Sequence, residues 1–261
     1  MALLHVDFFS TVLGMRTEMD VILPEQRPSS RLQVLYLLHG MTDDQTAWQR
    51  WTSIERYARD YQLAVIMPTT YLGWYTNMAY GERYFDYISQ ELPDTALGMF
   101  PAISDRREDT FVSGLSMGGY GALKCGLLRP DRFSCAAPLS GGLDAARIAD
   151  VAASGKTMSG MPDELRIFRD VLGDFGDVRG SDLDLLHVAE TLAPKDRPRV
   201  FMWCGTEDFL YQDNVRMRDH LTKLGYDLTY SDGPGDHSWP YWDREIQNVL
   251  RWLPLRKWGE V

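Results

Sequence analysis

Residues Phe111-Val112-Ser113-Gly114-Leu115-Ser116-Met117-Gly118-Gly119-Tyr120-Gly121 begin as an apolar strand, pass through G-x-S-x-G, and continue into the helix-like Ala122-Leu123-Lys124-Cys125-Gly126-Leu127-Leu128. A serine held on a sharp strand-to-helix turn has a strained backbone and needs small neighbours, which Gly114 and Gly118 supply. The turn lifts the Ser116 hydroxyl out of the sheet. It also leaves the Met117 N–H free at a helix N-terminus, where negative charge is favoured. In a chain with 22 glycines the bare pattern is weak, and its weight comes from its place between a buried strand and a helix.

Working outward, Leu32-Gln33-Val34-Leu35-Tyr36-Leu37-Leu38 and Leu63-Ala64-Val65-Ile66-Met67 are nearly continuous in apolar character, as expected of strands covered on both faces. Residues 6–10 and 16–23 alternate or carry β-branched side chains and predict two antiparallel N-terminal strands. Further strands are predicted over 111–115, 134–140, 200–204 and 228–231. Helices are predicted over 81–92 (ending at Pro93), from Met117, and over roughly 214–224 and 241–253. Strands alternating with helices imply an α/β class fold with a mainly parallel central sheet and helices on both faces. The stretch 145–193 breaks that rhythm, with short helical patterns interrupted by Gly155, Gly160, Pro162, Gly173, Gly176 and Gly180. It reads as a small helical excursion over the C-terminal edge of the sheet, where open α/β folds bind ligands. No repeat or linker divides the chain, so one domain is expected over 1–261.

The 261 residues are 44% hydrophobic and 25% charged, enough to bury a substantial core. The net charge of −10 and the lack of a Lys/Arg cluster argue against a nucleic-acid or anionic-membrane partner. The N-terminus has no basic-then-apolar leader pattern, and no apolar run is long enough to span a bilayer. Cys125, Cys135 and Cys204 are odd in number and lie in apolar segments, which predicts buried free thiols and a reducing, cytoplasmic setting.

A serine nucleophile needs a base, an acid to orient that base, and two donors aimed at the developing oxyanion. The strand 200–204 ends in Gly205-Thr206-Glu207-Asp208-Phe209-Leu210, where a carboxylate would sit just past a strand's C-terminal end. Asp208 is the preferred acid and Glu207 the close competitor. Of the five histidines, His5 precedes the core, His187 lies in the excursion and His220 falls in a helical pattern. His237, in Gly233-Pro234-Gly235-Asp236-His237-Ser238 between the last strand and the last helix, satisfies both order and place as the base. His39-Gly40-Met41 follows another strand end and supplies the second oxyanion donor beside Met117. Met41 is the assigned donor and Gly40, also a candidate substrate contact, the alternative. A metal site drawn from His39, Asp43, Asp44, Asp236 and His237 lacks ligand spacing.

Leu37-Leu38-His39-Gly40-Met41, Gly114-Leu115-Ser116-Met117-Gly118-Gly119, Cys204-Gly205-Thr206-Glu207-Asp208-Phe209-Leu210 and Gly235-Asp236-His237-Ser238-Trp239 together resemble the esterase D branch of the α/β-hydrolases, with the bacterial tributyrin esterases nearest. Trp74-Tyr75-Thr76-Asn77, Tyr80-Gly81 and Glu91-Leu92-Pro93 add to the likeness. The resemblance implies an α/β-hydrolase fold and a short-acyl serine carboxylesterase whose substrate is a small-molecule ester of acetyl or butyryl type, on carbohydrate or phenolic alcohols. Relatives of that branch include S-formylglutathione hydrolases, feruloyl esterases and mycolyl-type acyltransferases. It implies Ser116, Asp208 and His237 as the triad, Met41 and Met117 as oxyanion donors, no metal or organic cofactor, and a possible homo-oligomer at family level only. The excursion is the least well matched part. The acyltransferase alternative differs in whether water or another alcohol resolves the acyl-enzyme. A hydrolase-fold binding protein without turnover is the competing class, and the intact set of site residues weighs against it. Trp48, Trp51, Trp74, Tyr75, Tyr80, Trp239 and Trp242 cluster in sequence around the site loops. Most are expected to pack in the core, with Trp74 and Trp239 kept as pocket-lining candidates.

Overall fold

The computed structural model describes residues 1–26 and 30–259. Eight strands form one sheet in the order β1-β2-β4-β3-β5-β6-β7-β8. These are β1 (Ala2–Ser10), β2 (Met15–Leu23), β3 (Gln33–Leu38), β4 (Leu63–Pro68), β5 (Thr110–Leu115), β6 (Cys135–Leu139), β7 (Arg199–Gly205) and β8 (Leu228–Gly233). The first two strands form an antiparallel hairpin, β2 runs antiparallel to β4, and β4-β3-β5-β6-β7-β8 are parallel.

The near-continuous apolar strands follow from cover on both faces. On β3, Val34, Tyr36 and Leu38 enter one core with Val112 and Met202, whereas Leu35 and Leu37 enter a second with Phe111 and Trp203. The second core is closed by α1 (Ala47–Trp51), α2 (Ile54–Ala58) and α10 (Trp239–Trp252), through Trp48, Ile54, Trp242, Ile246 and Leu250. The first is closed by α4 (Leu92–Met99), α5 (Met117–Leu128), α9 (Tyr211–Leu224) and the excursion. This is the α/β-hydrolase architecture. From β3 the chain moves one way to β4 and then returns past β3 to β5, so the direction of winding switches between β3 and β5. A crevice at the carboxyl ends of the strands belongs at such a switch.

The excursion contains α6 (Ala145–Ala153), α7 (Glu164–Leu172) and α8 (Leu185–Thr191). It begins just beyond the C-terminal end of β6 and rests on the segment that follows β4. There Ala79 and Tyr80 donate backbone N–H bonds to the carbonyls of Val171 and Asp170 at 3.1 and 2.8 Å. Among the described residues no helix is long and apolar enough to cross a membrane.

The expected stop at Pro93 is not observed. The helix starts at Tyr84, not Gly81, as α3 (Tyr84–Asp86), widens into a π-turn over Tyr87–Glu91, and continues as α4 to Met99. Leu92 N–H reaches five residues back to the Tyr87 carbonyl. Pro93 sits in the first turn of α4, where a missing N–H costs little. The Ser89 carbonyl, four residues before the proline, accepts instead from Arg129 Nη1 at 3.1 Å. The helices α1 and α2, five residues each, were outside the sequence expectation because one turn shows no periodicity.

Candidate active site

Ser116 sits between β5 and α5 with φ 54° and ψ −116°, a conformation that a side-chain-bearing residue holds only under the constraint of its surroundings. The constraint is visible at Gly118, where a Cβ would lie 2.5 and 2.6 Å from the carbonyl oxygens of Leu38 and His39. The elbow and the end of β3 are therefore in backbone contact, and only glycine permits it. Ser116 N–H is fixed to the Leu139 carbonyl at 2.9 Å, and its own carbonyl accepts from Tyr120 N–H at 3.1 Å.

The loops after β7 and β8 bring the other two groups to the same place. His237 Nε2 lies 2.9 Å from Ser116 Oγ, and His237 Nδ1 lies 2.8 Å from Asp208 Oδ2. An ionised Asp208 accepts the Nδ1–H and leaves Nε2 as the acceptor facing the serine hydroxyl. The Asp208 side chain has no exposed surface, and its second oxygen accepts Leu210 N–H at 2.8 Å. The imidazole is held between Phe209, at 4.6 Å between ring centroids, and the edge-on Trp242 at 4.9 Å.

Glu207, the competing acid, does something else. Its carboxylate accepts Gly235 N–H at 2.5 Å while its own N–H donates to the Gly235 carbonyl at 3.0 Å. It clamps the histidine loop to the end of β7, and the Gly235 N–H, with the Thr206 side chain second, lowers its carboxyl pKa.

Around Met41 the structure adds a layer that the sequence pattern does not announce. His39 is buried, donates Nδ1–H to the Gly40 carbonyl at 2.7 Å and accepts Thr70 N–H at Nε2 at 3.0 Å. Tyr75 hydroxyl donates to the His39 carbonyl at 3.0 Å, and Trp48 Nε1 donates to the Leu38 carbonyl at 2.9 Å. Burial lowers the His39 pKa to about 4, so this ring is neutral and spends both nitrogens shaping the turn. Among the described residues neither Met41 N–H nor Met117 N–H has a protein acceptor. A Cβ on Gly40 would come within 2.5 Å of Leu115 Cδ1 and 3.7 Å of Ser116 Cβ, so the turn lies directly against the serine.

The two tryptophans kept as pocket candidates lie in packing contacts. Trp74, 6% exposed, is wedged between Tyr120 and Phe168 with centroids 5.8 and 5.2 Å away, joining the elbow helix to the excursion. Trp239 is half-buried, edge-on to Trp48 and Trp242, and stacked on the exposed Trp51. Cys125, Cys135 and Cys204 are free and buried, and burial pushes each thiol up, Cys125 to about 12. Thiols so protonated are not nucleophiles.

Residues 10–253 match the family described as "Putative esterase". The chain belongs to this Esterase family. The esterase is 32% identical to the acetyl esterase of Caldicellulosiruptor saccharolyticus, over 97% of this chain and 98% of that one. It is similar in structure to FphF, a fluorophosphonate-binding serine hydrolase of Staphylococcus aureus, with TM-score 0.87 and 36% identity over 97% and 98% of the two chains. It is similar also to the S-formylglutathione hydrolase FrmB of Staphylococcus aureus, with TM-score 0.84 and 36% identity over the same shares.

Proposed function

We propose that this esterase is a serine carboxylesterase that cleaves short-chain acyl esters through an acyl-enzyme on Ser116. The observation that carries the reading is the continuous relay from Ser116 Oγ through the His237 ring to buried Asp208, at 2.9 and 2.8 Å. Ser116 Oγ attacks the ester carbonyl as His237 Nε2 takes its proton, and Asp208 stabilises the imidazolium formed. The tetrahedral oxyanion is received by the N–H groups of Met41 and Met117, donors already oriented before substrate arrives. His237 then protonates the leaving alkoxide, and water repeats the cycle on the acyl-enzyme.

The similarity to an acetyl esterase supports a short acyl group. The buried Trp74, set between the elbow helix and the excursion, is consistent with limited space there. Similarity to an S-formylglutathione hydrolase favours, as a second reading, a formyl thioester of an anionic thiol. Against it stands Asp43, whose carboxylate would be 3.6 Å from a Cβ on Gly40 and so repels negative charge near the turn when ionised. Hydrolysis of nitrophenyl acetate, butyrate and longer esters, set beside S-formylglutathione, tests the choice. Acetate or butyrate should give the highest kcat/KM. Ser116→Ala should lower kcat by on the order of 10⁶ and abolish labelling by a fluorophosphonate. A Ser116→Ala protein that still turned over esters at the parent rate would remove the proposal.

A further inference from the structure

One carboxylate beside Ser116 is idle in the proposed acyl exchange. After Met41 the chain turns at Thr42, whose left-handed φ of 73° is an unfavourable conformation for a β-branched residue. The turn folds Asp43 back, so that its N–H donates to the Gly40 carbonyl at 3.3 Å. The point where a Gly40 Cβ would stand is 3.6 Å from Asp43 Oδ2 and 3.7 Å from Ser116 Cβ. The carboxylate therefore borders the space in which an ester would meet the serine.

Asp44, next in sequence, is tied down, because it accepts the Thr46 N–H and hydroxyl at 2.8 and 2.6 Å. Asp43 is not. Among the described residues its carboxylate has no hydrogen-bond donor and no ion pair, and Arg50 acts on it only through space. Burial first and Asp44 second raise its pKa to about 6, so at neutral pH it is a half-buried anion that the protein does little to stabilise. An uncompensated charge beside a nucleophile is the setting of a group that binds substrate. A neutral donor would only replace the hydrogen bonds of water, whereas a cation also offsets the repulsion from Asp44. Phe209 and Trp51 are exposed on the His237 side and offer ring faces on which an ammonium group settles.

Helix packing decides which half of the ester faces Asp43. α1 begins four residues after Asp43 and packs Trp48 edge-on against Trp239, two residues after His237, at 5.2 Å between centroids. The turn and the histidine loop are thus joined, and the leaving alkoxide is the part that His237 protonates. We propose that Asp43 is a specificity-determining residue for the alcohol half of the substrate, binding a cationic ammonium group there, as in esters of amino alcohols and quaternary ammonium alcohols. The proposal rests on the acyl exchange at Ser116 and adds to it the class of alcohol.

Acetylcholine and its uncharged isostere 3,3-dimethylbutyl acetate differ in one charge, so the ratio of their kcat/KM values reads that charge and cancels the chemistry common to both. The ratio should fall by about tenfold or more in Asp43→Asn. Asp44→Asn, further from the contact, should move it by less than about threefold. Choline should inhibit hydrolysis of the neutral ester competitively, and Asp43→Asn should weaken that inhibition. A ratio that Asp43→Asn leaves unchanged would overturn the proposal, as would an equal fall in Asp44→Asn, the mark of a diffuse field. Two further pairs locate the group. Betaine ethyl ester and ethyl 3,3-dimethylbutanoate move the charge to the acyl half, and 2-hydroxyethyl acetate beside propyl acetate replaces it with a hydroxyl. Asp43→Asn should lower the choline ratio more than either of these, and a larger effect on one of them would overturn the assignment. Failure of the acyl exchange itself shows separately, as a Ser116→Ala protein that hydrolyses 3,3-dimethylbutyl acetate at the parent rate.

Discussion

At the scale of single residues, two neighbouring carboxylates divide the work at the end of β7. Asp208 points to the His237 ring, whereas Glu207 holds the loop that carries that ring. Asp208→Asn should lower kcat roughly 10⁴-fold by stabilising the wrong imidazole tautomer. Glu207→Gln keeps an acceptor for Gly235 N–H and should cost less than about tenfold in kcat. Steady-state kinetics of the two variants decides between the acids, and a silent Asp208→Asn with a severe Glu207→Gln would reverse them. The turn from His39 to Met41 carries its own pH signature. His39 has an ordinary value of 6.5 and a folded value of about 4, because burial disfavours its cation. The unfolded chain therefore takes up the proton first, and this contribution is full above pH 6.5 and lost as pH falls towards 4, by roughly 3 kcal/mol. Asp43 runs the other way, raised from 3.8 to about 6 by burial first and the neighbouring Asp44 second. Its contribution is present below 3.8 and lost as pH rises through 6. Asp43→Asn should accordingly raise stability to urea at neutral pH and give no gain near pH 4. Unfolding curves at the two pH values check this, and an equal gain at both would show that ionisation is not the cause.

At the scale of elements, the site depends on where strand ends meet. Gly205 closes β7, and a Cβ there would fall 2.0 Å from the Gly235 carbonyl oxygen. That atom belongs to the backbone of the histidine loop, so no side chain can swing aside to make room. Gly205→Ala should push the His237 loop away from Asp208 and lower kcat by about 10²-fold or more, the cost expected of roughly 1 Å of misplacement. Far-ultraviolet circular dichroism should remain that of a folded chain, and parent-like kinetics would show that the two loops are not coupled there. The same junctions explain what could be read in advance. Buried strands such as β3 and β4 announce themselves because both faces are apolar, and the G-x-S-x-G elbow because its backbone tolerates so little. That Ser116, Asp208 and His237 would come together was legible through their places after strands in a known chain order. The buried roles of His39, Thr70 and Tyr75 were not, since they are hydrogen bonds between a side chain and the backbone made across 31 and 36 residues of sequence. Pro93 misled for a related reason. Its effect on the helix was absorbed by a π-turn and by Arg129, a residue 36 positions further on.

At the scale of the whole molecule, the three-helix excursion must be held to a sheet it does not join. It is fastened to α9 by a forked pair in which Arg147 Nε and Nη2 donate to the two oxygens of Asp213 at 2.5 and 2.7 Å. Asp213 has no exposed side-chain surface, and burial raises its pKa despite the guanidinium beside it. A second fastening joins α5 to the excursion, where buried Lys124 lies 3.7 Å from Asp182 and Tyr120 hydroxyl donates to the Leu183 carbonyl at 3.0 Å. Removing one partner of a buried pair leaves the other charge stranded, which costs more than the pair itself contributes. Arg147→Ala should therefore destabilise the protein by about 3 kcal/mol, because Asp213 keeps only the more distant Arg216. Asp213→Asn, which strands no buried anion, should cost less. The consequence for ester hydrolysis should be unequal across substrates, since α7 reaches the site region through Phe168 and Trp74 rather than through Ser116, Asp208 or His237. Loosening that contact should raise KM for butyryl esters more than for acetyl esters and leave kcat on acetyl esters near the parent value. Urea titration and kinetics on the two ester lengths measure both effects in one variant. A loss of kcat on every ester alike would place the excursion in the support of the elbow, whereas a change confined to KM on the longer acyl group would make it the wall against which that group is selected.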